Sequence, residues 1–433
     1  MASIDAEGIR QRPQVLDEKS PVTSTTVKVQ SEKEEVLAKH PGGSAHGPLL
    51  QAARIVALVV YFMGSCACMN ATQLIFSPLY FYDKDLYYAW MAVTKQHFGL
   101  LAVTMQQWWS PTTVRVSGDK SVQRQLTQVS DGRLECDFPE RMVLIANHEL
   151  YTDWLYLWWI AYTADMHGHI YIILKESLKY VPILGWGMQF FSFIFLSRNW
   201  TKDRQRFAHR LGKLKLKHGP SQSYKPMWML IFPEGTNLSR NSRAKSKAWA
   251  EKQGIPDMQH ALLPRSTGLH FCLQELDDTV EWVYDCTLAY EGIPRGQYGQ
   301  DIFTLRSIYL RGLAPKSVNM YWRRYAVASI PKDQAAFDAW LLARWREKDA
   351  LLEYYMQHGR FPALEDDDEE KTVPNGAGMA KEGSKGGWIE TELKPRSRFE
   401  FLQIFIPSMT IVLVLNLIRK FWLWLNVALS LRS

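Results

Sequence analysis

Residues 142–162 read MVLIANHELYTDWLYLWWIAY, and this stretch decides the class of fold. The apolar run Met142–Ala146 is typical of a buried strand, and Leu150–Tyr162 has a helical pattern. A polar loop that contains His148 joins the two segments. A buried strand that leads directly into a helix predicts an α/β unit, with the loop at the carboxyl end of the strand.

Further apolar runs alternate with helical patterns through the middle of the chain. A helical pattern covers Asp203–His218. This alternation predicts an α/β domain over residues 113–360, in which helices flank a central mixed sheet. Open α/β sheets bind ligands beyond the carboxyl ends of their strands, so we expect the functional residues there. The other predicted strands are Tyr171–Leu174, Phe191–Leu196, Met227–Phe232 and Val280–Leu288.

The amino-terminal part of the chain divides into one polar segment and two apolar ones. Residues 1–48 are rich in Ser, Lys, Glu, Gly and Pro, a composition typical of a disordered tail. The stretch from Arg54 to Tyr82 is apolar and long enough to enter or cross a bilayer. Leu86–Trp109 mixes apolar, aromatic and charged residues, which favours a helix at the membrane interface; a buried amphipathic helix is the alternative. Residues 49–112 are therefore predicted to form a membrane anchor and an interfacial helix.

The carboxyl-terminal part repeats this division in reverse order. Residues 361–398 contain the acidic run EDDDEE and a stretch rich in Gly and Lys, which predicts a solvated, disordered linker. Phe401–Ile418 is then 18 residues without a charge, and Phe421–Leu431 is a second apolar run. Residues 399–433 are therefore predicted to form a second membrane segment with an interfacial or hairpin tail.

The overall composition fits an enzyme that works at a membrane surface. The chain of 433 residues is 47% hydrophobic and contains 17 Trp, 19 Tyr and 19 Phe, and aromatic residues are enriched at membrane interfaces. The formal net charge of +7 is modest for this length, and no nucleic-acid motif accompanies it, so we expect no nucleic-acid partner. Five scattered cysteines lack the spacing of a zinc site or of a secreted disulfide framework.

His148 and Asp153 have the residue types and the spacing of a base and its partner. The unperturbed pKa of histidine lies near neutral pH, so His148 can accept a proton from a hydroxyl. A helix that begins at Leu150 would bring Asp153 back beside the loop of His148. The carboxylate could then hold the Nδ1 proton and leave Nε2 facing a substrate. A structural histidine at a strand end is the alternative for His148 taken alone.

The neighbouring residues argue against two other chemistries. His148-Glu149 could begin the zinc-protease motif H-E-x-x-H, but the second histidine would fall where the chain has Thr152. Residues 147–154 contain no Ser or Cys, which favours direct attack by a substrate hydroxyl over an acyl-enzyme. A serine supplied from elsewhere in the fold stays an alternative. Because the second histidine of the zinc motif is missing, we predict a site without a metal.

A second short segment, Phe232-Pro233-Glu234-Gly235-Thr236, follows the predicted strand Met227–Phe232. In a turn after a buried strand, the backbone N–H groups of Gly235 and Thr236 can point at a phosphate. A plain strand-to-helix turn capped by Thr236 or Asn237 is the alternative.

The H-x-x-x-x-D spacing followed by F-P-E-G-T resembles the glycerolipid acyltransferase family. Between these two blocks, residues 193–198 (FIFLSR) resemble a third block of that family, in which an arginine contacts the phosphate of the acceptor. Arg198 suits this role because a guanidinium can bind two phosphate oxygens at once, whereas a surface charge is the alternative. Leu263–Gly268 (LPRSTG) and Ile293-Pro294 correspond to a fourth block less clearly.

This resemblance implies transfer of an acyl group from acyl-CoA to a hydroxyl of an anionic lysophospholipid, without a metal or other cofactor. In that reaction His148 removes the hydroxyl proton and Asp153 orients His148. Arg198 and the turn at Gly235 and Thr236 bind the phosphate, and Glu234 positions the acceptor or the turn.

General similarity favours the branch of lysocardiolipin and lysophosphatidylinositol acyltransferases, which implies a location in the endoplasmic reticulum membrane. Arg54, Arg396 and Arg398 flank the two membrane segments, which favours a catalytic domain that faces the cytosol. A lysophosphatidate acyltransferase that makes phosphatidate is the alternative among enzymes. A non-catalytic membrane scaffold that binds lipid is the alternative from another class.

Overall fold

The computed structural model describes residues 44–197, 199–218, 222–363 and 387–430. Residues 1–43 of the tail predicted over residues 1–48, and the acidic run of the linker, lie outside the described residues. The strands are β1 (Thr113–Gly118), β2 (Leu126–Gln128), β3 (Leu134–Cys136), β4 (Arg141–Ala146), β5 (Ile170–Lys175), β6 (Ile194–Leu196), β7 (Lys217–His218), β8 (Ser223–Tyr224), β9 (Met227–Ile231), β10 (Trp282–Tyr290), β11 (Ser317–Ala326) and β12 (Ile389–Glu392).

Helices connect and cover these strands. They are α1 (Pro48–Phe76), α2 (Leu79–Tyr82), α3 (Lys84–Trp109), α4 (Asp153–Thr163), α5 (Leu184–Phe190), α6 (Trp200–Leu214), α7 (Arg240–Gln253), α8 (Ser266–Leu276), α9 (Gly299–Ile302), α10 (Gln334–His358) and α11 (Ile406–Ser430). Short 3₁₀ segments lie at Lys120–Gln125, Glu176–Tyr180, Asp277–Thr279, Val327–Ser329 and Glu400–Ile404.

Eight strands form the central sheet, in the order β12-β1-β11-β10-β4-β9-β5-β6. The run from β10 through β4, β9, β5 and β6 is parallel, whereas β10 and β11 are antiparallel, as are β1 and β12. The prediction of a mixed α/β sheet flanked by helices is therefore confirmed. Since β4, β9 and β10 are neighbours, the loops after β4 and β9 meet at one edge of the sheet.

Strand β4 shows why the sheet is covered on both faces. Met142, Leu144 and Ala146 belong to one apolar cluster, and Val143 and Ile145 belong to another. All five are completely buried, as expected for a strand with helices on both sides. Aromatic residues of α3 and α4 pack within the first cluster, whereas residues of α6, α8 and α10 contribute to the second.

Helices α3 and α4 approach each other closely at a glycine. A Cβ at Gly99 would lie 2.6 Å from Nε1 of Trp158, so a larger residue there would push the two helices apart. Phe98 packs against Trp158 with ring centroids 5.2 Å apart. This contact fixes α4, and therefore Asp153 at its first turn, against the amino-terminal helices.

The structure confirms four of the five predicted strands and corrects the other. The run Phe191–Leu196 forms a strand only at Ile194–Leu196, because the chain turns at Ser192, which has φ +60°. Among the helices, the one predicted from Leu150 begins at Asp153, and the one predicted over Asp203–His218 is α6, which ends at Leu214.

Strand β12 corrects the predicted linker over residues 361–398. Ile389–Glu392 pairs with β1 in antiparallel register, with Val116 opposite Ile389. Ile389 is completely buried and Glu390 is exposed, so this short strand has the alternating pattern of a sheet with one covered face. The sheet therefore includes residues beyond the predicted end of the domain.

The segments Pro48–Tyr82 and Ile406–Asn426 are long and apolar enough to cross a membrane, judged by length and composition. Polar side chains of α1 turn towards the domain: Gln73 donates to Thr94 Oγ1 at 3.2 Å, and Asn70 donates to the carbonyl of Ile183 at 2.9 Å. Large apolar residues of α1, including Val56 and Val60, are exposed on its other side. A helix on the surface of a soluble domain usually turns its apolar side towards the domain, and α1 does the opposite.

The remaining terminal predictions had mixed outcomes. Much of α3 is buried, including Lys95 and the run Phe98–Gln106, so the alternative of a buried helix describes that part of the predicted interfacial helix. The carboxyl-terminal segment forms one helix, Ile406–Ser430, and the hairpin tail offered as one alternative is absent from these residues.

Candidate active site

The site begins where β4 ends, at Asn147. Its side-chain N–H donates to the carbonyl of Leu288 at 2.9 Å, and the backbone N–H of Leu288 donates to its Oδ1 at 2.8 Å. These two bonds link the end of β4 to the neighbouring strand β10. The loop that carries His148 therefore starts from a fixed point of the sheet.

Asp153 is completely buried and closes this loop from the other side. Its Oδ2 accepts the backbone N–H groups of Glu149 at 2.7 Å and Leu150 at 3.0 Å. Its Oδ1 accepts the hydroxyl of Tyr290 at 2.5 Å. As the first residue of α4, the carboxylate also lies at the positive end of the helix dipole. Neutral donors therefore hold the charge in place.

His148 is the remaining partner of Asp153, and its Nδ1 lies 2.8 Å from Asp153 Oδ2. Because an ionised carboxylate can only accept, Nδ1 carries the proton and Nε2 has a free lone pair. The ring stacks on Phe232 with centroids 4.3 Å apart, and 21% of the His148 side chain is exposed. The structure thus brings together a histidine that solvent can reach and a buried carboxylate.

The turn over residues 232–236 packs against the same loop. Gly235 has φ +71° and donates its N–H to the carbonyl of Phe232 at 2.9 Å. This bond closes the turn, and the binding of a phosphate by the turn stays a prediction. Thr236 is half-buried beside it. The backbone N–H of Leu238 donates to the carbonyl of His148 at 2.7 Å, which joins the two segments.

Glu234 lies beneath the His148 loop and is 2% exposed. It accepts the backbone N–H of His148, and Nε1 of Trp345 lies 3.4 Å from its Oε1. Burial raises the pKa of Glu234 to about 8, although the nearby Lys348 acts in the opposite direction. In this position the side chain supports the loop from below.

Arg265, in the less clear fourth block, lies against the turn. Its backbone N–H donates to the carbonyl of Pro233 at 2.7 Å. A Cβ placed on Gly235 would lie 3.5 Å from Arg265 Cδ, an ordinary contact distance, so the Arg265 side chain packs directly beside Gly235. The structure therefore places a guanidinium-bearing side chain beside the F-P-E-G-T turn.

Arg198, the predicted phosphate ligand, lies outside the described residues. The residues on both sides of it are held by Asp203, which is 2% exposed. Asp203 Oδ1 accepts the N–H and the hydroxyl of Ser197, both at 2.9 Å, and Oδ2 accepts the N–H of Asn199 at 3.1 Å. A buried carboxylate thus holds Ser197 and Asn199 in place.

A small cavity of about 110 Å³ adjoins the pair of His148 and Asp153, which we call the dyad. Glu149 and Tyr290 line it from the dyad side, and Ile293 and Pro294 line it from the loop after β10. Burial raises the pKa of Glu149 to about 8, and the negative charge of Asp153 acts in the same direction. The Ile293-Pro294 segment therefore lies close to the dyad.

Helix α10 contributes contacts that the sequence did not indicate. Lys348 Nζ lies 2.6 Å from Asp285 Oδ1, and Arg323 donates to Asp285 Oδ2 at 2.7 Å. Lys348 and Asp285 are completely buried. One turn earlier on the same helix, Trp345 reaches Glu234. A buried Trp and Lys three residues apart on a helix were the available signal, but only the fold shows which residues they meet.

Two known protein families match the segments that form this site. The Acyltransferase family matches residues 113–290, which include the dyad loop and the F-P-E-G-T turn. The Acyltransferase C-terminus family matches residues 309–378, which include α10.

Individual proteins with similar sequences carry related names. A 2-acyl-1-lysophosphatidylinositol acyltransferase of Saccharomyces cerevisiae is 35% identical over 337 residues, 71% of this chain and 85% of the relative. Lysocardiolipin acyltransferase 1 of Danio rerio is 36% identical over 221 residues, 50% of this chain and 53% of the relative. A 1-acyl-sn-glycerol-3-phosphate acyltransferase delta of Rattus norvegicus is 30% identical over 301 residues, 70% and 73% respectively.

Proposed function

The chain belongs to the acyltransferase family, and from this premise we propose that it moves an acyl group from acyl-CoA to a hydroxyl of an anionic lysophospholipid. Lysophosphatidylinositol and lysocardiolipin are the favoured acceptors. The observation that carries the proposal is the 2.8 Å contact between His148 Nδ1 and the buried Asp153, which leaves Nε2 available as a base.

The reaction follows from the state of the dyad. Nε2 of His148 takes the proton of the acceptor hydroxyl while the hydroxyl oxygen attacks the thioester carbonyl. The tetrahedral intermediate then collapses, the C–S bond breaks, and the imidazolium returns its proton to the departing thiolate of CoA. Asp153 stabilises the imidazolium without leaving its backbone donors. No Ser or Cys occurs in residues 147–154, which supports direct transfer without an acyl-enzyme.

For the acceptor phosphate we propose Arg198 and the turn that contains Gly235 and Thr236. Since the N–H of Gly235 closes the turn, the role of Gly235 is to adopt the left-handed backbone conformation, φ +71°, that the turn requires. We add Arg265 as a second guanidinium that faces the turn. Glu234 positions the His148 loop in this scheme, which differs from the two roles expected for it, positioning the acceptor or the turn.

We further propose that α1 and α11 attach the enzyme to the endoplasmic reticulum membrane, with the α/β domain in the cytosol. Two features support attachment. The exposed side of α1 is apolar while its polar residues bond to the domain, and α11 exposes apolar residues along its length. A lipid environment satisfies such surfaces, because it removes exposed apolar residues from water.

A comparison of three acceptor lipids tests this function. The purified protein in phosphatidylcholine nanodiscs is supplied with labelled oleoyl-CoA and equal amounts of lysophosphatidylinositol, lysocardiolipin or lysophosphatidate. We expect one of the first two to be acylated at least about tenfold faster than lysophosphatidate. Faster acylation of lysophosphatidate would favour the alternative of a lysophosphatidate acyltransferase, which agrees with the name of one relative. Absence of transfer to all three would contradict the proposal and favour a lipid-binding scaffold.

A further inference from the structure

A second cavity, of about 320 Å³, lies at the opposite edge of the sheet from the dyad. Arg141, the first residue of β4, lines it, as do Lys225 just before β9 and His169 just before β5. His148 lies beyond the other end of β4, seven residues from Arg141, which is roughly 20 Å along an extended chain. We call this cavity the amino-edge pocket.

The lining of the amino-edge pocket carries a surplus of positive charge. Among the described residues, the lining contains one carboxylate, Asp85, whose Oδ1 lies 2.8 Å from Lys225 Nζ. Arg141 donates to the carbonyls of Thr279 at 2.9 Å and Leu214 at 3.1 Å. Both of these acceptors are uncharged, so they do not neutralise the positive charge of Arg141. The cationic residues of the lining are Lys95, Arg141, Arg210, Lys213 and Lys225.

Lys95 is the most unusual member of this set. It is 3% exposed, and its Nζ lies 3.7 Å from the ring centroid of Tyr171. Within the described ranges, no carboxylate or other hydrogen-bond acceptor contacts its Nζ. Burial lowers the pKa of Lys95 to about 7. A buried ammonium without a counter-ion is costly, so an anion that enters the pocket would be stabilised there.

The walls of the pocket are largely apolar. Met91, Phe190, Phe191 and Leu214 line it around the cationic groups. The volume lies at the lower end of the range of ligand sites. Phe81, in α2 immediately before the pocket-lining part of α3, is exposed. Charge at Lys95 and apolar walls together fit a molecule with one anionic head and one apolar chain.

We propose that the amino-edge pocket is a second binding site for an anionic single-chain amphiphile, with Lys95 as the counter-ion of its head group. A fatty carboxylate and a lysophospholipid phosphate share this chemistry. Because the pocket lies at the opposite edge of the sheet from His148, the molecule bound there is separate from the one that reacts. The site therefore stands independently of the proposed transfer reaction.

Binding is tested with a photoreactive fatty acid on the full-length protein in phosphatidylcholine nanodiscs. Labelled peptides are identified by mass spectrometry, and oleate, lysophosphatidate, oleyl alcohol and inorganic phosphate are used as competitors. We expect label in residues 84–95 or 190–194, and competition by oleate, by lysophosphatidate or by both. The tighter of these two competitors identifies the source of the head group. Oleyl alcohol or inorganic phosphate competing as well as the tighter one would contradict the proposal.

Two variants examine the counter-ion. Lys95→Met keeps the length of the side chain and removes its charge, and we expect at least about a tenfold weaker interaction with the anionic competitor. Lys202→Met removes an exposed lysine of α6 that does not line the pocket, and we expect unchanged binding. If Lys95→Met does not fold, Arg210→Met serves in its place with an expected loss of about threefold. Unchanged binding by the folded variants, or label confined to the His148 edge, would overturn the proposal.

Discussion

Asp153 and Asp285 are both completely buried carboxylates next to β4, yet their partners differ in kind. Asp285 lies between two cations, with Lys348 at 2.6 Å and Arg323 at 2.7 Å. Burial alone would raise the pKa of Asp285, but these two charges outweigh it and hold the pKa below its ordinary value. This carboxylate is neutralised in the resting protein and binds α10 to the sheet.

Asp153 is held instead by backbone N–H groups, by the Tyr290 hydroxyl and by His148. None of these partners carries a permanent positive charge. A cation forms beside Asp153 only when His148 takes up a proton, which is the step that our mechanism requires. The comparison therefore separates a carboxylate that stabilises the fold from one that, in the proposed mechanism, stabilises a reaction step.

The largest effect is expected when Asp153 loses its charge. Asp153→Asn can donate to Nδ1, which favours the wrong tautomer of His148 and removes the stabilisation of the imidazolium. We expect a fall of about 10³-fold in kcat, or about 4 kcal/mol in the barrier, while the folded protein persists. Acyl transfer is measured together with thermal unfolding, and a kcat within tenfold of the wild-type value would remove the distinction between the two carboxylates.

Breaking the other carboxylate's pair is expected to act on stability. Lys348→Met leaves Asp285 with Arg323 alone in a buried position, and we expect a loss of about 3 kcal/mol in the free energy of unfolding. Unfolding in detergent, followed by tryptophan fluorescence, measures this loss. The double variant Asp285→Asn with Lys348→Met should recover part of it, because the buried charge of Asp285 is gone and Arg323 keeps its pair with Glu347. A loss of kcat without a loss of stability would contradict the structural role.

Glu234 is expected to make the stability depend on pH. Its folded pKa of about 8 lies above the unfolded value of 4.5, so between these values the unfolded chain has lost the proton that the folded protein keeps. The free energy of unfolding therefore falls as pH rises from about 5 to 8. We expect Glu234→Gln to remove most of this fall, because its amide does not titrate. Thermal unfolding at several pH values measures this fall in the Glu234→Gln protein. Glu149→Gln is measured for comparison, because the pKa of Glu149 is also raised to about 8.

The smallest effect is expected from the hydroxyl of Tyr290. Tyr290→Phe removes one neutral donor from Asp153 and leaves the backbone donors and His148 in place. We expect kcat to fall about tenfold, equivalent to about 1.4 kcal/mol, because one charge-assisted hydrogen bond is lost. Tyr309→Phe, which removes a buried hydroxyl that donates to Gln106, is the matched control and should leave kcat unchanged.

The sequence predicted the parts of the fold that depend on local pattern. Strands such as β4 and β9 are continuous apolar runs because both faces of the sheet are covered, and these runs are visible in the sequence. Strand β11 was missed because it carries Asn319 and Arg323, whose burial depends on partners in α10 and β10. Strand β12 was missed because four residues in polar surroundings gain their order by pairing with β1, far away in the chain.

The candidate site divides in the same way. His148 and Asp153 are five residues apart, so their contact follows from a short loop and could be anticipated. The position of Glu234 under the backbone of His148, and its contact with Trp345, join segments about 85 and 111 residues apart. No local pattern specifies such contacts. The closed turn at Gly235 was also missed, since the same residues permit an open anion-binding turn.

The most direct test of the account is the transfer of a labelled oleoyl group from CoA to the best acceptor by the His148→Gln variant. His209→Gln, at an exposed histidine of α6, is the matched control. If His148 is the base, His148→Gln should lose about 10³-fold or more in kcat at unchanged thermal stability, and the control should keep its activity. Transfer by a folded His148→Gln protein at a rate within tenfold of wild type would contradict the account.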